Sequence, residues 1–220
     1  MAETLPFASA LTFWPMAFQD VLRMNTAAIR DAKLSRIARH HLHEDRGHDE
    51  WFLQDLTLIT GSRPDVTALF APEHRSARSA TYALVSESFR AQSDIERIVL
   101  ILTFESTGHV FFPAVVKYLT RMGVESVFQY FSQKHLDVEK GHELIDLQMQ
   151  EMLGGIQIDP GTRGRCLELI NRCYAAFAAL FDSLERAIVD QSSATARQFM
   201  TRERLLRQRA ASLASGTYRE

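Results

Sequence analysis

The chain has 220 residues, 46% of them hydrophobic and 24% charged, and a formal net charge of −2. That length suits one domain around one sizeable core. A balance so near neutral supplies no general attraction to nucleic acid or to an anionic membrane.

Apolar residues recur at three- and four-residue steps along most of the chain, and no strand-like alternation is convincing, so the expected fold is all-α. A first helix is expected over 8–24, where Trp14, Phe18, Val21 and Leu22 share a face. A second is expected over 34–60, stopped by Gly61. A third follows over 77–89. Ser93 and Asp94 can cap a fourth that runs to Met122, with Gly123 as its stop. The segment 98–116 is the nearest approach to a membrane span, but Glu105 and His109 interrupt it, and no membrane segment is expected. A fifth helix is expected over 125–152 and a sixth over 165–189, separated by a loop holding Pro160.

These helices would form one domain over 1–190. Residues 191–220 form a tail rich in arginine (Arg197, Arg202, Arg204, Arg207 and Arg209), read as a surface helix or a partly disordered arm. No internal repeat is evident. The two cysteines, Cys166 and Cys173, fit no Cys-x-x-Cys pattern. Seven residues apart on a helix they are about 10 Å apart, too far for a disulfide. Buried thiols in a reducing cytoplasm are the expected state, and no secretory signal is read at the N-terminus.

Seven of the eight histidines are concentrated in three helices. In the fifth, His135, Glu139 and His142 follow a His-x3-Glu-x2-His spacing. At about 100° per residue these side chains fall within about 60° of arc and can converge on one small volume. Two imidazoles and a carboxylate on one face suit a divalent transition metal. In the second helix, His41, Glu44 and His48 form a similar stripe, while Asp45, Asp49 and Glu50 read as part of a charged outer face. In the fourth, Glu105 lies between the apolar runs Ile98–Leu102 and Val110–Phe112. Such a carboxylate is costly to bury unless it is paired, protonated or metal-bound. His109 follows one turn later, and Gly108 leaves room for close approach to the backbone.

The order of these motifs resembles the haem-oxygenase-like di-iron oxidases and oxygenases, which share a fold with haem oxygenase, thiaminase II and pyrroloquinoline-quinone synthase. The resemblance is carried by His48, Glu105 and the set His135, Glu139 and His142, with the stretch from His40 to Leu56 similar to iron-containing redox enzymes. It implies a haem-oxygenase-like bundle of about six to seven helices. It also implies two iron ions per chain, cycling between Fe(II) and Fe(III), with O2 as co-substrate. The ligands would be His48, Glu105, His135, Glu139 and His142, with Glu105 and His109 beside the reacting atoms. Seven residues before His48, where the family places glutamate, stands His41. Either His41 or Glu44 would complete the set, or one of the two irons would be held weakly. A cytoplasmic oxidase acting on a small amino-acid-like or fatty-acid-like substrate, served by an external electron donor, is the expected activity. A homodimer is compatible with it. A non-catalytic metal- or ligand-binding protein, and a haem-degrading or cofactor-independent oxidase on the same fold, are the alternatives.

Overall fold

The computed structural model describes residues 5–124, 127–138, 151 and 153–215, with side chains described through residue 190. Helices α1 (Ala8–Leu11) and α2 (Phe13–Ala28) lead into α3 (Ala32–Glu44) and α4 (His48–Thr60). A short α5 (Val66–Leu69) and a 3-10 turn (Pro72–His74) connect to α6 (Arg75–Arg90). The central α7 spans Asp94–Met122. Helix α8 is described over residues 133–138, and α9 runs over Pro160–Ser215. No strand occurs among the described residues, so the all-helical bundle read from periodicity is the observed architecture.

Local chemistry fixes most helix ends. The Asp31 carboxylate accepts the N–H groups of Lys33 and Leu34, satisfying donors that the first turn of α3 leaves open. Ser93 does the same for Glu96 at the start of α7, and Gly61 and Gly123 end α4 and α7 in the left-handed region. Asp159 caps Gly161 and Thr162, and Pro160 takes the first helical position, so α9 starts five residues before the expected 165. The helical backbone of α9 continues through the arginine-rich segment to Ser215.

The second predicted helix is two helices. Its periodicity continues across residues 45–47, but Gly47 takes φ +92° and α4 begins afresh at His48. Asp45 N–H still bonds to His41 C=O, and His48 N–H reaches Asp45 C=O at 3.4 Å. The chain thus turns without leaving these donors unpaired.

The core joins Phe52 and Leu56 of α4, Leu84 of α6, Leu100, Phe104 and Leu119 of α7, and Leu169, Phe177 and Leu180 of α9. A second cluster packs Leu22 of α2 and Leu34, Ile37 and Ala38 of α3 on Ile98 and Ile101 of α7. Two buried glutamates fasten α9. Glu87 takes a bidentate contact from Arg172 with bonds of 2.9–3.1 Å, and Glu96 accepts from Arg165 at 2.9 Å. Both cysteines are buried and free. Burial pushes the Cys173 thiol up to about 12 and raises Cys166 as well. By length and composition α7 could cross a bilayer. Here its apolar residues Ile98, Leu100, Ile101, Phe104, Val115, Val116 and Leu119 are buried in the bundle.

Candidate metal centre

A cavity of about 60 Å³ lies between α2, the α3–α4 turn, α7, α8 and α9. Its polar lining includes Asp45, His48, Glu105, Thr107 and His135. Trp14, Phe18, Phe104, Phe111, Phe112 and Phe177 supply much of the apolar wall. Five chemistry-bearing side chains from three separate regions of sequence, Asp49 among them, therefore meet in one mostly apolar space.

The two histidines are held in the same manner. His135 is fully buried, and its Nδ1 lies 2.6 Å from the Tyr130 carbonyl oxygen. A carbonyl can only accept, so Nδ1 carries the proton and a neutral ring has its lone pair on Nε2. His48 is 6% exposed, with Nδ1 2.7 Å from Asp45 Oδ1. Donation from Nδ1 to that carboxylate again leaves the lone pair on Nε2. The ring centroids lie 4.4 Å apart. An oxygen acceptor on one ring nitrogen, with the other nitrogen as electron-pair donor, is the usual setting of a metal-ligating histidine.

Asp55 builds the His135 side. This buried residue of α4 accepts the N–H of Gln129 at 2.9 Å and of Phe131 at 3.0 Å. Those bonds fold the turn whose Tyr130 carbonyl orients His135. Ser132 Oγ caps α8 by accepting the His135 N–H at 3.2 Å.

Asp45 builds the His48 side. It is 6% exposed, contrary to its expected place on a charged outer face. The turn after α3 carries it inward. Its Oδ2 is buried with no hydrogen-bond partner among the described residues. Burial pushes its carboxyl above the ordinary value of 3.8, against the downward pull of the His48 hydrogen bond and of His41 and His48, while Glu105 adds to the rise. A buried carboxylate oxygen without a donor, on a residue whose other oxygen holds one imidazole, matches what a divalent cation requires.

The remaining expectations divide. Glu105 lines the cavity, and its Oε1 lies 3.1 Å from His41 Nε2, which brings α3 and α7 within ion-pair distance there. Glu44 lies 4.0 Å from His40 and is not among the residues that form the cavity wall. The break at residues 45–47 explains this, because a helical wheel continued from His41 to His48 does not describe a chain that turns between them. The carboxylate beside His48 is Asp45. His109 is exposed and outside the cavity. Glu105 already stands on the margin of the α7 stripe formed by Phe104, Thr107, Gly108 and Phe111, and His109 lies about 40° further out. Ser106 faces α9, 2.9 Å from the Tyr174 hydroxyl. Glu139 and His142 lie outside the described residues. Among the described residues alone, no three His, Cys, Asp or Glu side chains come close enough together to hold a metal ion.

Asp45 had a legible signal. His41-x3-Asp45-x2-His48 has the same spacing as His135-x3-Glu139-x2-His142. The match extends further, because His-Leu-x-x-acid-base-Gly-His occurs at 41–48 and again at 135–142. The sequence therefore does contain a short internal repeat, and Asp45 occupies the place of Glu139 in it. No family model matches the chain, and no curated protein matches it.

Proposed function

We propose that the chain is a non-haem iron oxidase or oxygenase with a haem-oxygenase-like bundle, using O2 to oxidise a small organic substrate. The supporting observation is the pair His48 and His135, with ring centroids 4.4 Å apart and each Nδ1 held by an oxygen acceptor in one cavity. Asp45 and Glu105 add carboxylates to that cavity. The resemblance described above and the repeated octapeptide extend the ligand set to Glu139 and His142.

Each residue has a definable task. His48 and His135 would bind through Nε2. Asp45 would fix the His48 tautomer while offering Oδ2 to the metal, and the Tyr130 carbonyl would fix His135. Glu105 would supply a second carboxylate, steadied by His41 across the bundle. Iron, when bound, supplies the electrons for O2 that no ordinary side chain can provide. The aromatic wall excludes water and favours an apolar substrate surface beside the metal. The open face of α7 at Gly108 leaves room there.

Anaerobic Fe(II) loading followed by mixing with O2 tests the reading. The proposal expects stoichiometric iron and O2 consumption that His135→Ala abolishes. Iron uptake without O2 consumption would favour a non-catalytic metal-binding protein instead.

A further inference from the structure

A second cavity lies on the other side of Gln19. Gln19 is 2% exposed, and its amide donates to the Asp45 carbonyl at 2.6 Å. It forms part of the wall of the metal cavity and also of a separate cleft of about 440 Å³. That cleft is lined by Arg23 of α2, Arg39, Leu42 and His43 of α3, and Arg46 of the following turn. Three guanidiniums and an imidazole thus surround one opening, and no acidic side chain is part of its lining.

The arrangement is unfavourable by itself. Arg39 and His43 are four residues apart on α3, a spacing at which like charges destabilise a helix once the imidazole is protonated. Arg46 follows three residues later. Arg23 has a partner in Asp20 at 2.9 Å, but that pair is exposed. Arg39 and Arg46 make no ion pair with any described residue. The favourable charge of a cation at the α3 C-terminus accounts for His43 and Arg46. It does not account for Arg39 in the helix body or for Arg23 facing it from α2.

We infer that this cleft binds the phosphate group of a small molecule, at a site distinct from the metal cavity. Guanidiniums are planar, always charged and able to grip phosphate oxygens in pairs. The volume is more than ten times the share of one water in the liquid, about 30 Å³. That room accommodates an organic group attached to the phosphate as well as the anion itself. Gln19 is the shared wall, so an occupant sits one side chain away from the segment carrying Asp45.

The test uses the full chain without metal, titrated calorimetrically with inorganic pyrophosphate and separately with glycerol phosphate, at constant ionic strength against a chloride control. Saturable binding of at least one probe is expected, weakened at least tenfold in Arg39→Gln/Arg46→Gln and unchanged in Arg63→Gln, an exposed loop substitution. Tighter binding of the ester would identify a phosphorylated organic molecule. Tighter binding of pyrophosphate would identify a free polyphosphate; either keeps the phosphate site. Absence of saturable binding by both probes, or equal affinity in wild type and the double variant, would overturn it. Circular dichroism of the double variant separates lost binding from lost fold. Because no iron is present, the outcome is independent of the oxidase reading.

Discussion

The Asp55 carboxylate on α4 accepts the backbone N–H of Phe131 at 3.0 Å, joining the helix that begins with His48 to the turn that presents His135. The same carboxylate takes the Gln129 N–H, so one side chain sets the separation of the two histidine-bearing segments. Asp55→Asn replaces one accepting oxygen by an amide that donates toward a donor. The loss of a buried charge-assisted bond costs about 2–3 kcal/mol. Urea unfolding is expected to show a lowered midpoint, and metal affinity is expected to fall with it. An unchanged midpoint would mean that the turn holds without this anchor.

Asp45→Asn and Glu44→Gln separate two neighbouring carboxylates. The first alters the group that orients His48 and removes the charge on Oδ2. Partners of this kind carry about 10- to 100-fold in metal affinity. The second touches a residue outside the cavity and is expected to leave affinity within about twofold. Equilibrium Fe(II) titration reads both. The reverse order would restore Glu44 as the ligand.

Gly108 is a tolerant position in a sensitive place. Among the described residues, a Cβ there would meet only Phe112, at 3.7 Å, an ordinary contact. Gly108→Ala should therefore fold well and gain about 1 kcal/mol of helix stability. The added methyl enters the cavity wall, so substrate oxidation should slow while iron binding persists. A raised Tm with undiminished turnover would place the substrate elsewhere.

The Glu96–Arg165 contact predicts part of the acid response. Burial raises the Glu96 carboxyl, but bonds from the Gln92 N–H, Arg165 and Ser93 outweigh it and hold the group below its ordinary 4.5. A depressed folded value means the stabilisation is present above about pH 4.5 and is lost as pH falls through the folded value. Glu96→Gln is expected to flatten that acid limb in thermal melts between about pH 5 and pH 3. An unchanged slope would exclude Glu96 as a contributor.

The extent to which the sequence revealed this arrangement depended on how local the cause was. Gly61, Gly123 and the Ser93 cap act within one turn, and the helix ends they predict are the ones observed. The break at Gly47 was hidden because apolar periodicity continues through it, so the wheel assigned Glu44 to the site and Asp45 to the surface. Yet Asp45 could have been found from the repeated octapeptide, which places it opposite Glu139. His109 stands outside the cavity wall for a different reason: one turn from Glu105 is close in sequence, but Glu105 already marks the edge of the cavity. Asp55 gave no local signal at all, since its partners lie 74 and 76 residues away.

On the proposed function, His48 and His135 would serve one metal centre through their Nε2 atoms. The most direct measurement is anaerobic Fe(II) binding to wild type, His48→Ala and His135→Ala, with iron counted per chain and helix content followed by circular dichroism. Up to two irons per wild-type chain are expected, with affinity reduced at least tenfold in each variant and the helical signal retained. No iron in the wild type, or equal occupancy in all three proteins, would contradict it.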